Sequence, residues 1–215
     1  MSSGSSAFHR SNQSLCPIGH YCVSGLLRQC PPGRYGNATG EVRDECAGAC
    51  EAGYYCPIGS ISSRQVPCGS PSVYCPAGSA VPTFALPGAV TTGDSDITRS
   101  AAQWCVSGQY CVNGTAYPCN PGRFGCASGL STGDCNGPCL SGYYCLSGSW
   151  SNRQLPCGNA SVYCEQGVFA PAAVGRGNYS YGGDSPTSHG AQQVCEAGWY
   201  CDGGQRVRVL LLACY

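Results

Sequence analysis

Lysine is absent from this chain of 215 residues, and so is any long apolar run. Eleven arginines balance eleven acids with no basic cluster or charged block, so neither nucleic acid nor an anionic membrane surface is an implied partner. No stretch approaches the roughly 18 apolar residues of a membrane span, and Met1 is followed by Ser-Ser-Gly-Ser-Ser in place of the apolar core of a secretory leader. Leu, Ile, Val and Phe together make up about 15% of the residues, below the roughly 20% at which a chain normally buries a core. Such a chain stays disordered unless covalent links hold it.

The sequence has cysteine instead: twenty, with 32 Gly and 15 Pro. Cys16, Cys22, Cys30, Cys46, Cys50, Cys56, Cys68 and Cys75 recur 89 residues later as Cys105, Cys111, Cys119, Cys135, Cys139, Cys145, Cys157 and Cys164, and a third copy opens at Cys195 and Cys201. Spacing shared by that many cysteines means one covalent framework was built twice and begun a third time. Closing a loop of about 15 residues with a disulfide is worth roughly 3 kcal/mol in the chain-entropy model, so four per unit replace a missing core. The expected fold is small and disulfide-rich: an elongated tandem array of cysteine-rich modules with short β-hairpins and little helix. Its expected divisions are a disordered Ser-rich segment over 1–15, repeat 1 over 16–104 (halves 16–49 and 50–104), repeat 2 over 105–194 (halves 105–138 and 139–194), and a truncated repeat 3 over 195–215.

Disulfides persist in oxidising compartments, which predicts an extracellular or cell-surface protein. Five of the eight asparagines, Asn12, Asn37, Asn113, Asn159 and Asn178, head Asn-x-Ser/Thr sequons and are glycosylation candidates. Without a leader, the simplest expectation is a fragment of a longer protein whose leader, and any membrane anchor, lie elsewhere. The tail agrees: from Val207 to Tyr215 the sequence matches neither complete unit and is expected to leave the repeat, by read-through into non-coding sequence or as the start of an anchor.

Each half opens on Cys-x-x-Gly-x-Tyr-Cys, at Cys16, Cys50, Cys105, Cys139 and Cys195. The Gly suits a tight turn with positive φ, and the Tyr is expected to cover a disulfide; the alternative is a ligand-binding aromatic row. Eight cysteines leave the pairing open. The two-half organisation favours first-to-third and second-to-fourth bridges: Cys16–Cys30, Cys22–Cys46, Cys50–Cys68, Cys56–Cys75, Cys105–Cys119, Cys111–Cys135, Cys139–Cys157 and Cys145–Cys164. Cys126, Cys195, Cys201 and Cys214 stay unassigned; Cys126, where the first unit has Asn37, has Cys201, Cys214, a second chain or no partner open to it. Arg64 and Arg153 recur in Arg-Gln-x-Pro-Cys-Gly and are expected to bond loop carbonyls; the alternative is a contact residue repeated along a surface. Between Cys75 and Cys105 no cysteine occurs, yet Gly88, Gly93 and Asp94 return as Gly177, Gly182 and Asp184, so this stretch is expected to be a folded connector, a short hairpin or strand.

Neither metal chemistry nor catalysis is expected. The cysteine spacings lack the Cys-x2-Cys pattern of structural zinc, and Asp94-Ser-Asp96 starts like a calcium loop but has Cys105 where the bidentate Glu belongs. His9, His20 and His189 recur nowhere, and no nucleophile or phosphate-binding motif is present. No catalytic residue, metal or cofactor is assigned.

The segments Gly53 to Ser60, Val66 to Gly69 and Val73 to Ser79, with a second set at Gly142 to Ser149, Leu155 to Gly158 and Val162 to Gly167, carry a resemblance. Cys-x-x-Gly-Tyr-Tyr-Cys, then Pro-Cys-Gly, then Val-Tyr-Cys-Pro-Ala-Gly-Ser resembles the ephrin type A/B receptor-like cysteine-rich repeats, relatives of the growth-factor-receptor and tumour necrosis factor receptor modules. Glu165-Gln-Gly-Val168 departs from the Pro-Ala-Gly-Ser pattern, and no kinase is implied. Together with the disulfide scaffold, the resemblance leads to the expectation of a non-catalytic extracellular or cell-surface spacer, adhesion or receptor-ectodomain segment, with a protein or glycan ligand that the repeats do not specify. The alternative is a secreted soluble cysteine-rich effector or inhibitor.

Overall fold

A computed structural model describes residues 13–208. Among them no helix forms; twenty-two short strands make eleven two-stranded sheets, each joining strands adjacent in sequence. Each repeat opens on a two-residue hairpin. Val23 faces Leu26 across Ser24-Gly25, Val112 faces Thr115 across Asn113-Gly114, and Asp202 faces Gln205 across Gly203-Gly204. All six turn residues have positive φ, from 50 to 74° for the first two pairs and 54 and 76° for the third, the mirror-image turn whose twist matches that of its strands. The third hairpin, Trp199–Asp202 with Gln205–Arg208, carries strand pairing two residues into the stretch from Val207 expected to leave the repeat. Backbone pairing makes no demand on side-chain identity, so Gln205-Arg-Val-Arg208 continues the pattern without resembling it. Residues 209–215, with Cys214, lie outside the described residues, as do Asn12 and His9.

A recurring glycine turn links each hairpin to the next. The Gly33 N–H donates to the Cys56 carbonyl at 2.8 Å, while the Gly33 carbonyl accepts from Cys50 N–H at 2.9 Å; Gly122 does the same with Cys145 and Cys139 at 2.8 and 3.0 Å. Only glycine fits, for two reasons. Gly33 and Gly122 have φ of 84 and 80°, and a Cβ on them would stand 2.3 Å from the Gly78 carbonyl oxygen and 2.1 Å from that of Gly167. The cysteine-free connector uses the same bonds: Gly88 donates to Cys111 O at 3.1 Å and accepts from Cys105 N–H at 2.9 Å. It is folded, as its register predicts, with Ala89–Gly93 paired to Arg99–Trp104 and Asn178–Tyr181 to Ala191–Val194.

Each disulfide joins consecutive cysteines of the recurring framework, with Cys126 skipped. The bonds are Cys16–Cys22, Cys30–Cys46, Cys50–Cys56, Cys68–Cys75, Cys105–Cys111, Cys119–Cys135, Cys139–Cys145, Cys157–Cys164 and Cys195–Cys201. The first-to-third, second-to-fourth scheme is therefore corrected throughout: none of Cys16–Cys30, Cys22–Cys46, Cys50–Cys68, Cys56–Cys75, Cys105–Cys119, Cys111–Cys135, Cys139–Cys157 or Cys145–Cys164 forms. The cause is local. The glycine turn inside Cys-x-x-Gly-x-Tyr-Cys reverses the chain within the motif, bringing its own two cysteines to a Cα separation of 5.8 Å at Cys16–Cys22 and 6.1 Å at Cys139–Cys145, within bridging range. Cys195 and Cys201 pair likewise, which removes Cys201 as a partner for Cys126; that cysteine is exposed and forms no disulfide among the described residues.

These bonds are also most of the core. Among the described residues the buried apolar ones are thirteen cysteines with Val73 and Ala89, while side chains as large as Phe84 and Trp104 are exposed. Two compact units result: the first takes the described residues up to 85 and 91–102, the second 86–90 and those from 103 onward.

Candidate functional site

The polar group that recurs on this scaffold is an arginine laid against an aromatic ring and paired with a carboxylate. In the first unit Arg64 Nε donates to Glu51 Oε2 at 2.6 Å, and its guanidinium lies 5.8 Å from the Tyr54 ring centroid. In the second, Arg153 pairs with Asp184 at 2.6 Å and lies 5.7 Å from the Tyr143 ring. Arg206 adds a third instance, 3.2 Å from Glu196, 4.6 Å from the Trp199 ring and 5.0 Å from that of Tyr179. The expected bond from Arg64 and Arg153 to a loop carbonyl is thus replaced by a bond to a carboxylate, which offers the planar fork a charged acceptor.

Local structure explains the position of each arginine. The residue after it caps its own loop: Gln65 Oε1 accepts from Ile61 and Ser62 N–H at 3.1 and 3.2 Å, and Gln154 Oε1 from Trp150 and Ser151 N–H at 3.3 Å each. The neighbouring Tyr54 and Tyr143 sit in two-residue strands opposite Pro67 and Pro156. The carboxylates escape a reading of the sequence because they do not recur: Glu51 is the residue after Cys50, whereas the residue after Cys139 is Leu140 and the acid comes from Asp184 in the connector. A signal exists nonetheless. Glu51 and Glu196 share one position in Cys-Glu-Ala-Gly, and Asp184 returns from Asp94.

Asp184 is the most connected carboxylate. The Tyr143 hydroxyl donates to its Oδ1 at 2.6 Å and the Ser188 hydroxyl at 2.9 Å. The Tyr143 bond, followed by that of Ser188, holds the Asp184 carboxyl below its usual range, and the same carboxylate raises the Tyr143 phenol. Glu51 is lowered by the hydrogen bonds from Arg64 and Ser63. These groups lie at the surface, with side-chain exposures of 65 and 47% for Arg64 and Glu51. They present charge, donors and a flat ring to solvent, a composition suited to recognition.

The other residues singled out by the sequence are dispersed. Tyr55 packs on the Cys68, Val73 and Cys75 cluster, as a disulfide-covering tyrosine should; Tyr110 stacks on Tyr117 at 5.6 Å instead, and Tyr200 is exposed. His20 and His189 engage backbone oxygens of Ile18 and Pro186. Glu165-Gln-Gly-Val168 keeps the turn of its counterpart, because Cys145 N–H still finds the Val168 carbonyl at 3.2 Å where Cys56 finds Ser79 at 3.0 Å. Asp96 pairs with Arg99, and among the described residues no group of three or more His, Cys, Asp or Glu is placed to hold a metal ion. Asn37, Asn113 and Asn159 are exposed, and Asn178 is half-buried.

No protein-family model matches this chain. No curated protein matches it significantly either.

Proposed function

We propose that this chain is a non-catalytic extracellular or cell-surface segment, a spacer, adhesion or receptor-ectodomain module of the ephrin type A/B receptor-like kind, with a protein or glycan ligand. The observation that carries the reading is the set of nine short-range disulfides among the described residues, which clip hairpins that there have almost no other core. Such bonds last in the oxidising space outside the cytosol. The arginine and aromatic groups at Arg64, Arg153 and Arg206 are of the residue types enriched where proteins bind one another.

The test is where the protein resides. An antibody raised against the folded chain should label intact cells of the source organism, and brief surface proteolysis should remove the label. Labelling of the cytosol, seen only after permeabilisation, overturns the reading. Recovery from the medium alone favours the secreted effector.

A further inference from the structure

Three of the four sequons among the described residues carry an exposed asparagine. Asn37 follows the Arg34–Tyr35 strand, Asn113 is the first turn residue between Gln109–Val112 and Thr115–Pro118, and Asn159 precedes Val162–Tyr163; all three are exposed. Asn159 engages only its oxygen: Oδ1 accepts from Ser161 N–H at 3.0 Å and from the Ser161 hydroxyl, leaving both amide hydrogens free. Asn113, with φ of 50°, holds a turn position that Ser24 and Gly203 fill in the other two hairpins with φ of 52 and 54°. A serine and a glycine in its place show that no packing depends on that side chain. Asn178 differs. It lies within the Asn178–Tyr181 strand, half-buried, and its Nδ2 donates to Gln192 Oε1 at 3.1 Å. The same Gln192 oxygen takes Gly175 N–H at 2.8 Å, and Asn178 Nδ2 is 3.2 Å from where a Cβ on Gly175 would stand.

We propose that Asn37, Asn113 and Asn159 carry N-linked glycans and that Asn178 is left bare. The proposal rests on the extracellular reading above, since the donor is a lipid-pyrophosphate oligosaccharide of the secretory route. In the transfer, Asn Nδ2 attacks the anomeric carbon of that donor. The nitrogen–carbon bond forms, and the bond from that carbon to the pyrophosphate oxygen breaks. The lipid pyrophosphate leaves with the electron pair, and the amide proton passes to a base of the transferase. A branched glycan is too bulky and too polar to bury, so the folded chain tolerates it where Nδ2 faces water. At Asn178 it would have to displace the Gln192 and Gly175 contacts. The glycans also differ between repeats: the counterpart of Asn37 is Cys126 and that of Asn159 is Ser70. One scaffold thereby acquires two different sugar-free faces.

The chain is to be produced behind a secretion leader in a eukaryotic cell line. Occupancy is then read by N-glycosidase digestion, which turns an occupied Asn into Asp, peptide by peptide, on secreted and cell-retained chain alike. Conversion is expected at Asn37, Asn113 and Asn159, with Asn178 unchanged; Thr39→Ala, Thr115→Ala and Ser161→Ala should each remove one glycan, and Asn178→Gln none. An occupied Asn178, or any of the other three left bare, overturns the proposal. Disulfide mapping of the same samples separates the two readings, because a chain with all nine bonds and no glycan sinks this proposal alone, and a chain lacking the bonds sinks the extracellular reading.

Discussion

The glycine turns are where single residues matter most. At Gly33 and Gly122 an added methyl meets two penalties, a positive φ costing about 1–2 kcal/mol and a carbonyl oxygen 2.3 and 2.1 Å away. Overpacking of that kind adds roughly 1–3 kcal/mol, so Gly33→Ala and Gly122→Ala should each lower stability by roughly 2–5 kcal/mol. Gly198, with φ of 83° and no atom within 4 Å of a would-be Cβ, bears the first penalty alone. Gly198→Ala should thus be the mild variant in a thermal unfolding series, and equal losses at all three sites would show that the close carbonyls are irrelevant. The carboxylates make a second residue-scale prediction. Asp184 and Glu51 are held below their ordinary range in the folded chain, so each stabilises it at neutral pH, and that contribution disappears as acid protonates them. Tyr143 has the opposite sign: its raised phenol favours the folded chain up to its ordinary pKa, and the benefit is lost as alkali titrates the raised group. Unfolding midpoints followed below about pH 4 should fall more steeply for the native chain than for one carrying Asp184→Asn and Glu51→Gln. Parallel curves would refute the assignment.

At the scale of the hairpin, disulfides closing different loops should differ in worth. Cys30–Cys46 spans a sequence separation of 16 and Cys50–Cys56 one of 6. In the chain-entropy model the first contributes about 3 kcal/mol and the second about 2.4, so replacing Cys30 and Cys46 by Ser should cost more than replacing Cys50 and Cys56. Chemical denaturation of the two double variants measures the order, and a reversed order would place the stabilisation in packing around the sulfurs. The pairing is illegible in the sequence for a physical reason. Spacing counts residues along the chain, whereas bridging depends on where the chain reverses, and that is decided by Gly19, Gly53 and their counterparts, whose positive φ brings the flanking cysteines together. Legible are the features that repeat as residues: the eight-cysteine register, the turn glycines and the folded connector around Gly88 and Gly177. Features that repeat as roles with changed residues stay hidden. The carboxylate facing the recurrent arginine is Glu51 in one repeat and Asp184 in the other, and the last hairpin continues through Gln205–Arg208 on backbone bonds alone.

Across the molecule, cystine is what excludes water. Among the described residues thirteen of the buried apolar ones are cysteines, and Leu27, Phe84, Trp104 and Phe169 are all more than half exposed. Reduction should therefore abolish the fold of both units, leaving none with native structure, and amide dispersion in a proton NMR spectrum before and after reductant measures this. Persistence of native dispersion in strong reductant would mean that the turn hydrogen bonds suffice alone. The nearest-neighbour wiring also bears on how the chain is made. Among the described residues no bridge waits for a residue more than 16 positions further along, so under oxidising conditions each clip can close without waiting for the segment that follows it. Inserting or deleting a whole number of clipped hairpins would leave every remaining bridged cysteine with its original partner, so the length of such a chain can change by recombination without a single bond being rewired.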